Sequence, residues 1–466
     1  MKPNLRTNGA SPLGGPVFGR RMFLGGTLAC ATALTACDDD KKVILAGRRV
    51  DVLSTGAGLT VDPDDKTPIT LPAPQTVAEW PMAGRVRDHV AVNAQWEGAH
   101  LRWDRSIGAG VSEPSFLSYA ALGSNGRGAI QGTPIIADGR AFTRDAQGLV
   151  RAWTWPAMGS LWSFVPKPKK SRSTDIGGGL AVQGDVLYIV DGVAETLAVD
   201  VSTGHVRWRV DIGTPGRSAP TVSDGKVFFT TIEGRLFALD AATGNQLWTY
   251  SSSDADTVLF GQPAPAVVDG VVVAGFGSGD LVALRGTSGE MVWSDSLGGS
   301  NGRGAMLDLS CIRGAPVIQG GTVYAVSMSS VLVAIDLRSG RRLWEREVGG
   351  QNMPVICDDW MFIISADQQL ACLDRLSGHV RWITQLRRFV REVKQKDAIV
   401  WTGPVLAGGK LVCLSTFPAE GMRIVDAITG EIEGMVKTRS PCVIPPIVCD
   451  GNVLVLSNDG HLSAYG

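Results

Sequence analysis

Leu236-Phe-Ala-Leu-Asp240-Ala-Ala-Thr-Gly244-Asn-Gln-Leu-Trp248 and Leu332-Val-Ala-Ile-Asp336-Leu-Arg-Ser-Gly340-Arg-Arg-Leu-Trp344 share one frame, Leu-x-Ala-x-Asp-x-x-Thr/Ser-Gly-x-x-x-Trp. It returns at Leu281 to Trp293, at Leu370 to Trp382, and one residue shorter at Leu197 to Trp208. Weaker copies run from Val150 to Trp162 and from Met422 to Gly434, where Gly434 stands in the tryptophan position. In each copy an apolar strand turns Leu and Ala inward. Asp and Thr/Ser-Gly make a tight turn, with Gly supplying positive φ. A second strand ends on Trp, so every copy predicts a β-hairpin.

A second signature precedes each copy: Ala219-Pro220-x-Val222-x-Asp224-Gly225-x-Val227-Phe228. It recurs at Thr133-Pro134, Ala264-Pro265, Ala315-Pro316, Met353-Pro354, Gly403-Pro404 and Pro445-Pro446, and degenerately at Gly179-Leu180. Proline leads the first strand, where no ladder donor is lost. The two signatures together predict four strands per unit of roughly 40–50 residues, the period of a propeller blade.

The Pro-led signature appears eight times, but the closing strand follows it only seven times. The chain stops at Asp459-Gly-His-Leu-Ser-Ala-Tyr465-Gly466, a third blade strand with no fourth behind it. His100-Leu-Arg-Trp103-Asp-Arg-Ser-Ile-Gly108 supplies the missing strand, with Trp103 in the closing position. The expected fold is all-β: an eight-bladed β-propeller of four-stranded antiparallel blades over residues 81–466, closed by pairing of the N- and C-terminal strands. Closure of this kind removes exposed sheet edges.

Residues 1–36 hold Lys2, Arg6, Arg20 and Arg21 and no acidic side chain, and Met22-Phe23-Leu24 opens a small-residue apolar run to Ala36. This is a signal peptide, too short for a spanning helix. Arg20 and Arg21 resemble the pair of a twin-arginine export signal. Leu34-Thr35-Ala36-Cys37 resembles a bacterial lipobox, which makes Cys37 the acylated first residue (palmitate among its chains). Residues 37–80, rich in turn formers, read as a lipidated tether with one docked strand at Val50–Leu53.

The whole chain has 44 basic and 45 acidic side chains; removing the four leader bases takes the net charge from −1 to about −5. Nucleic-acid binding needs a basic footprint, so no nucleic-acid partner is expected. Cys311, Cys357, Cys372, Cys413, Cys442 and Cys449 lack the paired spacing of a zinc site. They read as buried thiols, or as a disulfide between Cys442 and Cys449 in an oxidising compartment. The five histidines share no metal-ligand spacing, and no nucleophile elbow or phosphate loop stands out. The blade residues Asp200, Asp240, Asp336, Asp374 and Asp426 precede turns and suit local backbone capping. No catalytic residue, metal or cofactor is expected.

The repeat resembles the quinoprotein-type (PQQ-like) propeller repeat. Two classes carry it: quinone-dependent dehydrogenases and the BamB-type lipoproteins of outer-membrane β-barrel assembly. The lipobox at Cys37, the tether, Trp80-Pro81, the strand around Trp103 and eight short blades match the second. The dehydrogenases imply an adjacent cysteine pair, and no Cys-Cys occurs here. The leader with Arg20 and Arg21 is unusual for the BamB-type family. Asp38 after the acylated cysteine resembles an inner-membrane retention signal of some bacteria.

The resemblance implies a non-catalytic scaffold, lipid-anchored at the periplasmic face of the outer membrane. It would bind the periplasmic domains of the central assembly subunit and assist nascent outer-membrane proteins. The rivals are a PQQ-dependent dehydrogenase-like quinoprotein and an envelope glycan-binding propeller. In four-stranded blades the connectors from outermost to next innermost strand share one face. Here they include residues 104–131, 249–263, 294–314 and 383–402, the last carrying Arg387-Arg388-Phe389-Val390-Arg391. Family members dock their partner on two neighbouring loops of this kind, which carries over to the loops ending at Pro265 and Pro316 and nominates Leu259, Phe260, Arg303 and Asp308.

Overall fold

The computed structural model describes residues 58–111, 130, 132–166, 177–254, 263–298, 311–328 and 331–466. They form eight four-stranded antiparallel sheets and one two-stranded hairpin. In the third blade the strands run from the axis outward as Thr221–Ser223, Lys226–Thr230, Arg235–Asp240 and Gln246–Ser251. The last blade is ordered Leu101–Ser106, His461–Tyr465, Asn452–Ser457, Ile447–Cys449, so the early strand does complete the final sheet. Trp103 pairs with Ala464 across that seam.

Local chemistry explains the hairpins. Asp224 (φ 50°) and Gly225 (φ 70°) supply the two positive φ values of the tight inner turn. At the outer turn Asp240 Oδ1 accepts from the backbone N–H groups of Ala242 and Thr243 at 3.1 and 2.8 Å. It also accepts from the Thr243 hydroxyl at 2.8 Å. Asp200, Asp336, Asp374 and Asp426 make the same kind of bonds at their own turns. These aspartates are turn caps, as their spacing suggested.

The blade tryptophans join neighbours. Trp162, Trp208, Trp248, Trp293, Trp344 and Trp382 each donate the indole N–H to a turn carbonyl of the next blade, at 2.7–3.2 Å. Each ring packs beneath that turn's glycine. A Cβ at Gly204, Gly244, Gly289, Gly340, Gly378 or Gly430 would come within 2.6–2.8 Å of it. Trp103 meets Trp155 edge-on at 6.0 Å across the closing seam. The two middle strands of most blades are almost wholly buried, and core clusters combine residues of adjacent blades.

The chain ahead of the first blade is built into the ring. Asp62 accepts from Val380 N–H at 2.6 Å and pairs with Arg346 at 2.9 Å, while Asp65 pairs with Arg381 and His379, each at 3.3 Å. Ile69 and Leu71 then pack on the core of the sixth and seventh blades. The reading of residues 37–80 as a tether therefore meets a difference from Gly58 onward, where the chain lies against the blades; residues 37–57, with the proposed strand at Val50–Leu53, fall outside the described residues.

Residues 77–94 circle the axis once, touching the blades in order. Val77 O accepts from Asp450 N at 2.8 Å, Trp80 exchanges bonds with Ile136 at 2.7 and 3.0 Å, and Pro81 O accepts from Val182 N at 2.7 Å. Arg87 donates to Ser223 Oγ at 3.0 Å, and its carbonyl accepts from Val267 N at 2.7 Å. Asp88 O accepts from Ile318 N at 2.9 Å, Ala91 N donates to Ile356 O at 2.9 Å, and Ala94 O accepts from Gly408 N at 2.7 Å. The innermost strand of a blade is a sheet edge with unpaired polar groups facing the axis. This belt satisfies some of them in seven blades and reaches the third through the Ser223 hydroxyl.

Candidate functional site: the connector face and the bore

Each innermost strand begins on the face where the long connectors arrive and ends near the belt. The two sides of the disc therefore differ. One carries the connectors; the other carries the short turns between the two inner strands of each blade, with the belt between them across the axis.

Leu259, Phe260, Arg303 and Asp308 lie outside the described residues, as do Arg20, Arg21 and Cys37. The described flanks place their two loops immediately before Ala266–Val268 and Val317–Gln319, the inner strands of adjacent blades. Ser124–Ala129 and Ser300–Ala305, two connector stretches that carry the same string Ser-Asn-Gly-Arg-Gly-Ala, also lie outside the described residues.

The connector at 383–402 is described and is not an irregular loop. Phe389–Arg391 pairs with Lys396–Ala398 as a small arm, with a 3-10 turn at Glu392–Lys394 between them. Much of its basic run is internally neutralised. Arg387 bonds Glu420 at 2.7 Å, Arg388 pairs with Asp367 at 3.1 Å, and Arg391 pairs with Asp397 at 2.9 Å. Val393 at its tip is fully exposed. Sequence reasoning missed the arm because each strand is three residues long and charged, without alternation.

The bore holds a cavity of about 490 Å³ on the connector side of the belt. Apolar side chains such as Val92, Val355, Val405 and Ile444 line much of it, with Arg85, Arg217 and Arg313 among them. No Asp or Glu is among its described lining residues. Burial pushes the Arg85 and Arg313 guanidinium pKa values down. Burial likewise pushes down that of His89, whose Nδ1 lies 2.8 Å from Pro316 O. The sequence signal for this floor was the apolar run Val90-Ala-Val-Asn-Ala94, which belongs to neither repeat frame.

All six described cysteines are buried, and Cys357, Cys372, Cys413, Cys442 and Cys449 are free thiols. The alternative pairing of Cys442 with Cys449 is not formed. Cys442 Sγ donates to Ser440 O, and Cys449 Sγ to Ala78 O in the belt at 3.1 Å. The two cysteines belong to different hydrophobic clusters. Burial raises the Cys357 pKa to about 11 and the Cys442 pKa to about 12, so both are inert thiols at neutral pH. Among the described residues no group of three His, Cys, Asp or Glu side chains could hold a metal ion.

Repeat frame, blade order and closing seam define a closed eight-bladed propeller of PQQ-like repeats. A family model described as "Outer membrane protein assembly factor BamB" matches residues 146–384, more than half of the chain. The chain belongs to that family, and outer-membrane protein assembly is the role this membership supports. A relative from Salmonella typhimurium bearing the same name is 29% identical over 78% of this chain and 87% of its own length. The crystal structure of BamB from Moraxella catarrhalis matches with TM-score 0.62 at 20% identity, over 78% of this chain and 99% of that one. A europium-containing methanol dehydrogenase matches with TM-score 0.61 at 14% identity, over 81% and 89%. At such identity the two structures share the fold alone with this chain.

Proposed function

We propose that this protein is a non-catalytic scaffold of the outer-membrane β-barrel assembly machinery. It binds the periplasmic domains of the central assembly subunit through its connector face and helps hold nascent outer-membrane proteins. Acylated Cys37, exported behind Arg20 and Arg21, anchors it at the periplasmic face of the outer membrane. One observation carries the docking reading: the loops ending at Pro265 and Pro316 lead into inner strands of neighbouring blades. Loops that lead into adjacent inner strands leave the ring at neighbouring positions, as a shared docking surface requires. Leu259, Phe260, Arg303 and Asp308 are the proposed contacts, an aliphatic and an aromatic anchor beside two charges.

The test is affinity purification from membranes with Phe260→Ala and Arg303→Glu variants. Loss of the central subunit from the eluate, with unchanged thermal melting, is the expected result. Undiminished co-purification would refute these contacts. The quinoprotein alternative gains nothing from the dehydrogenase match, which is one of fold.

A further inference from the structure

At six joints a tryptophan on one blade's outermost strand bonds the next blade's turn, and a hairpin ties that strand to its own sheet. Both joints of the eighth blade depart from this. The seventh blade carries Gly434 opposite Ile424, where the third carries Trp248 opposite Ala238. Trp96 serves that joint instead. It packs on the core cluster shared by the seventh and eighth blades and donates its indole N–H to Tyr465 O at 3.0 Å. At the other joint Trp103 stands in the repeat position but is only half-buried, and it meets Trp155 edge-on at 6.0 Å.

The eighth blade's outer strand, Leu101–Ser106, comes from far away in the sequence, so no hairpin turn links it to His461–Tyr465. Its ladder shifts register between Leu101 and Trp103. Asp104 adds two side-chain contacts across the seam, to Ser463 Oγ at 2.7 Å and His461 Nδ1 at 2.6 Å. Both joint tryptophans and the outer strand therefore sit on one stretch, residues 96–106. Firm anchors bound it: Gly408 N donates to Ala94 O at 2.7 Å, and the wholly buried Ile107 donates to Gly460 O at 2.8 Å. Contacts carried by one continuous segment are lost together, which makes their release a cooperative local opening.

We propose that residues 96–106 are a latch, through which the eighth blade opens as a unit while the other seven stay closed. Trp96 fastens the latch in place of the tryptophan that Gly434 replaces. Release bares the edge of His461–Tyr465, giving the ring one place to exchange a strand without unfolding. The latch involves neither docking loop, so its failure would leave the assembly reading untouched.

Hydrogen exchange of the full-length protein, read by mass spectrometry, tests this. Amides of residues 461–465 should exchange together with those of 101–106. They should exchange about tenfold or more faster than residues 235–240, the equivalent strand of the third blade. Trp96→Ala should speed 461–465 by about a further tenfold, as loss of one hydrogen bond and its packing allows, and leave 235–240 unchanged. Equal protection of 461–465 and 235–240 in the unaltered protein would overturn the proposal. So would a Trp96→Ala variant that speeds both strands alike or neither.

Discussion

Removing Trp293 and filling the space beneath Gly340 should give strongly coupled effects. Trp293 is 7% exposed, donates to Leu337 O at 2.7 Å, and lies 2.6 Å from where a Gly340 Cβ would sit. Trp293→Ala should cost ~3–5 kcal/mol, the range for a buried tryptophan. Gly340 has φ +70°, so Gly340→Ala carries about 1–2 kcal/mol for the left-handed backbone alone. Overpacking against the ring adds ~1–3 kcal/mol. In the Trp293→Ala background only the backbone cost remains. The double-mutant cycle should therefore show a coupling of ~1–3 kcal/mol, with the pair less destabilised than the sum. Urea unfolding followed by circular dichroism measures it. Costs that add within ~0.5 kcal/mol would refute the packing of this ring against that turn.

Three more outcomes follow from the same geometry. Hydrogen bonds from Thr67 hold the Asp65 carboxyl below its ordinary pKa, as those from Thr243 do for Asp240. Groups depressed in the folded state stabilise above the unfolded value near 3.8 and lose that contribution as pH falls through the folded value. Urea midpoints should thus decline below about pH 4, and Asp65→Asn should flatten part of that decline. The buried thiols should stay unreactive toward a disulfide reagent at pH 8 until the protein is unfolded; fast labelling of Cys442 in the native state would contradict the burial. Asp62→Ala leaves Arg346 and Val380 N–H without their shared partner, so cleavage between residues 58 and 76 by limited proteolysis should become faster while the blades persist.

The blades were legible because a repeat states its structure many times over. The Asp-x-x-Thr/Ser-Gly turn appears in several copies, and Trp103 announces the closing strand by standing where other blades carry their tryptophan. The belt was not legible, because it occurs once and its partners are dispersed. Val77 bonds Asp450 and Ala94 bonds Gly408, contacts that no local pattern encodes. Alternation cannot mark a segment that follows the axis instead of lying in a sheet. The bore shares this difficulty: Trp80, Arg85, His89 and Arg313 come to line one cavity only after the ring has closed. The nominated contacts Leu259, Phe260, Arg303 and Asp308 rest on a carry-over of loop position from the family resemblance, not on a motif of their own.

The assembly role itself is tested most directly by mild detergent extraction of membranes and isolation of the tagged full-length protein. The account predicts that the central β-barrel assembly subunit co-purifies in stoichiometric amount. Recovery of the acylated, folded propeller without that subunit would contradict it.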